Sequence, residues 1–211
     1  MQLSELTNIP VEIKSGKEEL VFKSHNTDYT VLDFWRWSVS DLMSNATRGR
    51  FAEFIVAIAV NNDFTKPRDE WAAFDISTAD GIKIEVKSSA YIQSWHQKKL
   101  SSISFSTKPA RQWDPEKGFS NNSMIRSADV YVFCLLKHKD KSTVNPLLLE
   151  QWAFYILPTF MLDNYTRSQT SITLKSLENI SAPVSFAELK EKIYSAYDEQ
   201  LDYLIKTKGK N

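Results

Sequence analysis

An α/β fold, a mixed central sheet flanked by helices, is the architecture this sequence predicts, and three observations carry it. Helix-period stretches occupy residues 31–60, strand-like stretches dominate the middle of the chain, and a long amphipathic pattern closes it. Helices, then strands, then helix again can bury their apolar faces together most simply as helices packed on a sheet.

The elements follow in order. Residues 1–29 are polar and irregular, with one strand-like piece at Glu19 to Phe22. Thr30-x-x-Asp33 reads as a capping box and opens a helix from Val31 to about Met43. Ser44-Asn45-Ala46-Thr47 breaks it and offers new N-caps for a second helix, Arg48 to Val60, which is apolar almost all round and therefore expected to be buried. Ala73 to Ser77 and Ile82 to Ser88 read as strands, the second with Ile82, Ile84 and Val86 on one face and Lys83, Glu85 and Lys87 on the other. Ser101 to Ser106 is a further strand candidate, and residues 107–126, rich in Pro, Asn, Gly, Lys and Arg, read as a long loop. Val130 to Leu136 and Trp152 to Leu157 are nearly continuous apolar runs, the pattern of strands covered on both faces; Pro158 ends the second. A helix over Thr159 to Asn164, a polar region to Pro183 and a helix from Ser185 to about Ile205 complete the chain. The last carries Phe186, Leu189, Ile193, Tyr197, Leu201 and Leu204 at helical spacing, a core stripe most simply and a dimer seam as the alternative. A length of 211 residues suits a single domain, with a core at about 31–160 and a C-terminal helical segment at about 185–206.

Composition narrows the function classes. No apolar run reaches membrane-spanning length, and Met1 to Glu5 has neither the basic nor the apolar part of a signal peptide. One cysteine, Cys134, sits in an apolar run; it excludes an internal disulfide and fits a reducing cytoplasm. His25, His96 and His138 are far apart without metal-ligand spacing, and no phosphate loop appears. The 26 basic and 26 acidic residues cancel, but residues 83–126 hold eight basic against three acidic residues, enough to seat phosphates or merely to form a solvated face.

Cleaving a phosphodiester calls for a divalent metal on hard oxygen ligands, a polarised phosphate and a positioned water. Asp75, Glu85 and Lys87 offer such groups. Glu85 and Lys87 are two apart and share a strand face. The turn decides whether Asp75 joins them. A two-residue loop at Asp80-Gly81 would turn Asp75 away; a three-residue loop, Ala79-Asp80-Gly81, would pair Thr78 with Ile82 and set Asp75 opposite Glu85. Gly81 suits the left-handed last position of the second loop. Glu53 is the lone carboxylate of an apolar helix, where an unpaired charge is costly. A metal or Lys87 would compensate it, and so would an ion pair with Arg50 or Arg68. Trp71, Tyr91, Trp95 and Trp113, interleaved with Arg68, Lys98, Lys99 and Arg111, are candidates to stack bases beside phosphate contacts, or else are packing anchors. Arg48 joins the candidate DNA-contacting residues.

With these residues in this order, helix with Glu53, strand with Asp75, strand with Glu85-Val86-Lys87, the sequence resembles the PD-(D/E)XK nuclease superfamily, over roughly Arg48 to Leu157. It is also similar to a group of small bacterial proteins with Ser44-Asn45, Arg48-Gly49, Ala52-Glu53-Phe54, the run Gly81 to Ser88, and Ala90-Tyr91-x-Gln93-Ser94-Trp95. The resemblance implies a restriction-endonuclease-like fold and a metal-dependent endonuclease acting on DNA in restriction, phage defence or repair. It also implies that Asp75, Glu85 and the Val86 carbonyl ligate Mg²⁺ or Mn²⁺, that Glu53 ligates a metal directly or through water, and that Lys87 orients or activates the attacking water; Gln93 and Ser88 are auxiliary candidates. Phe74 stands where the superfamily's motif has proline. Cutting symmetric sites would demand a homodimer. The alternative is a catalytically silent nucleic-acid-binding or assembly subunit on the same fold.

Overall fold

The computed structural model describes residues 9–114 and 118–208, with side chains described outside 112–122 and 208. Its centre is a four-stranded mixed sheet in the order β3 (Ile76–Ser77), β4 (Lys83–Ala90), β8 (Val130–Leu136) and β9 (Trp152–Pro158). β3 is antiparallel to β4, β4 parallel to β8, and β8 antiparallel to β9. Every residue of β8 and β9 is buried, because both faces of the sheet are covered.

One face is covered by α2 (Asn45–Ala59) and α5 (Phe186–Lys208), which close over Ile84, Val86, Val132 and Phe154. The other is covered by β5 (Ser104–Ser106), β10 (Ser171–Thr173), α3 (Thr159–Asp163) and α4 (Leu174–Glu178), whose Phe105, Ile172, Leu162 and Leu177 pack on Tyr131, Phe133 and Tyr155. Upstream lie a hairpin, β1 (Glu19–Phe22) with β2 (His25–Thr30), and α1 (Val31–Val39), which buries none of its residues. The Thr30 capping box is present, with the Asp33 amide donating to the Thr30 hydroxyl and the Asp33 carboxylate accepting the Thr30 amide.

Several expectations are corrected. Within the loop expected at 107–126, β6 (Ala110–Asp114) and β7 (Gly118–Ile125) pair antiparallel. Polar turn-forming residues conceal it because backbone pairing, not an alternating apolar face, builds the ladder. α1 ends at Val39 and not near Met43, and α2 begins at Asn45, capped by Ser44, whose hydroxyl accepts the Thr47 amide. α2 is not buried all round; Ala52, Ile55 and Val56 face the core, while Phe54 and Ile58 are exposed. The strand expected from Ala73 begins at Ile76, and the one expected from Ser101 begins at Ser104. The α5 stripe is core at Leu189 and Ile193 but emerges to solvent at Leu201 and Leu204.

Candidate active site

The β3–β4 turn is the three-residue loop. The Thr78 amide donates to the Ile82 carbonyl (3.0 Å), and the Gly81 amide donates to the Thr78 carbonyl (2.9 Å). Gly81 has φ +83°, a left-handed conformation that a side chain would strain. The Tyr194 hydroxyl of α5 donates to Asp80 (2.8 Å), fastening the turn. Ile76 then faces Ile84 and Ser77 faces Lys83, so continuing the register brings Asp75 level with Glu85. Asp75 lies just before β3 and caps the short ladder: its amide donates to the Ile84 carbonyl (3.0 Å), and its Oδ2 accepts the Val86 amide (2.8 Å). Two residues along β4 from Glu85, Lys87 donates from Nζ to Glu85 Oε1.

Glu53 comes to the same place from α2, through Arg68. One guanidinium binds three carboxylates: Nε donates to Glu53 Oε2 (2.5 Å), one terminal nitrogen to Glu70 Oε2 (2.7 Å), and the other to Asp75 Oδ1 (3.4 Å). Of the compensations open to Glu53, the ion pair with Arg68 is the one present; Lys87 serves Glu85 instead. Arg68, Ala72, Phe74 and Asp75 line two cavities in common. The larger, about 820 Å³, holds Glu53 among Phe54, Phe64 and Phe74. The smaller, about 300 Å³, holds Glu85 with Glu70, Lys108, Arg111 and Tyr131.

The acids are crowded. Burial pushes the Glu85 carboxyl above its ordinary value and the Asp75 charge adds to this, while the charge and hydrogen bond of Lys87 work against it. Burial likewise raises Glu53, against the hydrogen bond from Arg68. Burial works to lower Arg68, yet Glu53, Glu70 and Asp75 outweigh it and hold the guanidinium more firmly protonated than usual. Among the described residues no three His, Cys, Asp or Glu side chains form a cluster able to hold a metal ion as they stand. Arg68 bridges Glu53 and Asp75, and Lys87 takes an oxygen of Glu85. In kind the donors do suit a hard divalent ion: three carboxylates from three separate elements.

Other candidates fall elsewhere. Arg48, expected to touch DNA, is buried; its guanidinium donates to Ser88, Gln93, Asn45 and the Met43 carbonyl. Ser88 and Gln93 belong to that network, away from Glu85. Arg68 is a hub of ion pairs, not an open phosphate contact. Lys98, Lys99 and Arg111 are exposed, and Arg111 lines the smaller cavity. Trp71 and Trp95 are exposed, Tyr91 is partly buried with the Lys139 ammonium over its ring, and the Trp113 side chain lies outside the described residues. Glu70 and Tyr131 were not expected here, whereas Lys108 is one of the eight basic residues of 83–126. Glu70 carried a signal, an acid two residues after Arg68; Tyr131 is placed by strand order alone, as the parallel partner of Glu85.

Residues 1–174 match the family described as Bacteriophage T4 endonuclease IV. The chain belongs to that family. Membership makes it a member of a nuclease family, and the match spans α2, β3 and β4, the elements carrying Glu53, Asp75, Glu85 and Lys87. No curated protein matches the chain. Among the described residues no helix is long and apolar enough to cross a membrane.

Proposed function

We propose that this endonuclease IV family member hydrolyses phosphodiester bonds of DNA with a divalent metal, on a restriction-endonuclease-like fold of the PD-(D/E)XK type. What supports this reading is that Arg68 bridges Glu53 of α2 and Asp75 just before β3, that the register sets Asp75 level with Glu85 of β4, and that Lys87 pairs with Glu85. Evenly solvated surface carboxylates do not crowd until burial and a neighbouring charge push one of them up.

In this reading Asp75, Glu85, the Val86 carbonyl and Glu53 would hold Mg²⁺ or Mn²⁺, which would supply positive charge at the phosphate and make the attacking water more acidic. Lys87 presents three N–H donors on a compact charge, which orient the attacking water and add charge next to the phosphate. The water oxygen forms the new P–O bond, the P–O bond opposite it breaks, and the departing oxygen ends protonated. Lys108 and Arg111 grip flanking phosphates along the smaller cavity. For those oxygens to hold a metal, Arg68 would have to give up Asp75 and Glu53, since one set of oxygens cannot serve both at full strength.

A second reading draws on that same Arg68: a subunit that binds nucleic acid without cutting, with the guanidinium as permanent counter-ion of the acids. Calorimetric titration with Mn²⁺ separates the two. The nuclease reading expects binding heat in the wild type that disappears in Glu85→Ala. A wild type that binds no Mn²⁺ leaves the silent-subunit reading standing.

A further inference from the structure

A third cavity, about 390 Å³, lies between the first turn of α2, the end of β4 and residues 101–104. Arg48 forms its charged wall at 4% exposure. All the acceptors of its hydrogen bonds are neutral: Ser88 Oγ at 3.3 Å, the Met43 carbonyl at 3.0 Å, Gln93 Oε1 at 3.2 Å and Asn45 Oδ1 at 2.8 Å. Among the described residues no carboxylate pairs with it, and none lines the cavity. A buried charge without a counter-charge is costly, and burial accordingly makes this guanidinium less firmly protonated than usual.

The rest of the lining suits an anion. Ser88 and Ser101 line it with hydroxyls that accept from Arg48 and from Gln93 and Gln97, and half-exposed Trp95 lies on the same lining. The N-terminal turn of α2, fifteen residues long, adds the positive end of a helix dipole. At Gly49, which also lines the cavity, no atom lies within 4 Å of where a Cβ would stand. The cavity is fixed relative to the candidate active site. Arg48 precedes Glu53 by little more than one turn of α2, about 7.5 Å along the helix axis, and Ser88 follows Lys87 on β4.

We propose that this cavity is a phosphate-binding subsite in which Arg48 supplies the charge for a phosphate of a nucleic-acid strand. The phosphate chemistry rests on the cavity alone; the strand as its source rests on the nuclease reading. An anion seated here would complete the pairing that the fold leaves open around Arg48.

Gly49 gives the test, because a side chain there enters open space. Thermal unfolding and calorimetry are run without metal on the wild type, Gly49→Ala and Gly49→Asp, with inorganic phosphate against chloride at equal ionic strength. Phosphate is expected to raise the Tm of the wild type and of Gly49→Ala. Gly49→Asp is expected to bind phosphate at least about tenfold more weakly, because its carboxylate pairs with Arg48, and to melt higher in phosphate-free buffer. Labelled oligonucleotides with a 5′-phosphate or a 5′-hydroxyl then identify the source. Tighter binding of the 5′-phosphate form, lost in Gly49→Asp, assigns a terminal phosphate. Equal binding of both forms, weakened in Gly49→Asp, assigns an internal one. A wild type stabilised no more by phosphate than by chloride, or oligonucleotide binding untouched by Gly49→Asp, overturns the proposal. Neither result bears on Mn²⁺ binding at Glu85, so the subsite and the nuclease reading fail separately.

Discussion

Helix α2 and strand β4 pack along one seam, and the two ends of that seam are unbalanced in opposite senses. At one end Arg48 is buried among neutral acceptors, a cation with no acid. At the other, Glu53, Asp75, Glu85 and Glu70 share Arg68, Lys87 and the exposed Arg50. The first end is rigid, since four hydrogen bonds hold the guanidinium in place. The second depends on Arg68, which is 35% exposed at the side chain and stands on an irregular segment between α2 and β3. Imbalance of this kind teaches that neither end is arranged for stability alone. One lacks an anion and the other is acid-rich, the arrangement expected if the proposed phosphate and metal sites share this surface.

The largest expected effect lies at the acid-rich end. Lys87→Ala and Glu85→Ala should each slow DNA cleavage by about a thousandfold while Tm moves by only a few degrees, read by gel cleavage and thermal unfolding. Variants that cut at wild-type rate would break the assignment of that end.

Next in size is a difference in stability between the two arginines. Arg48→Ala removes the donor from four acceptors and should lose about 3 kcal/mol in urea unfolding. Arg68→Ala, whose ion pairs are partly screened by solvent, should lose only about 1 kcal/mol in chelator, and less once Mn²⁺ is present. Equal losses would erase the contrast drawn between a rigid end and a releasable one.

A smaller effect follows pH. The Glu85 carboxyl is raised in the folded protein, so between its ordinary value of 4.5 and its folded value the native state binds more protons than the unfolded chain. Stability therefore falls as pH rises through that window, and the cost of the buried charge is fully present above it. Glu85→Gln in metal-free buffer should raise Tm at neutral pH and lose that gain below about pH 4.5, as followed by thermal unfolding across a pH series. The smallest effect is at the surface: Lys98→Ala or Lys99→Ala should lower the salt slope of DNA binding by about one unit each.

Much of the acid-rich end was legible in the sequence, because its information is local. Alternation in Ile82 to Ser88 put Glu85 and Lys87 on one face, and a glycine at position 81 favoured the turn that levels Asp75 with Glu85. The apolar runs at 130–136 and 152–157 likewise announced strands covered on both sides. The Arg48 end was not legible. Nothing in Arg48-Gly49 distinguishes a surface arginine from one drawn in by Ser88 and Gln93, forty and forty-five residues away. Arg68 was visible as a possible partner of Glu53, but its simultaneous hold on Glu70 and Asp75 depends on the path of an irregular segment that propensity does not encode. The hairpin of β6 and β7 escaped for the same reason: pairing between polar strands leaves no apolar period to read.

If the oxygens now held by Arg68 and Lys87 are ligands of a divalent ion, diffraction at the manganese edge from a crystal soaked in Mn²⁺ should show an anomalous peak within ligand distance of both Asp75 and Glu85, with the Arg68 guanidinium withdrawn from Asp75. A map with no peak there, and Arg68 still bonded to Glu53 and Asp75 at saturating metal, would rule these oxygens out as metal ligands.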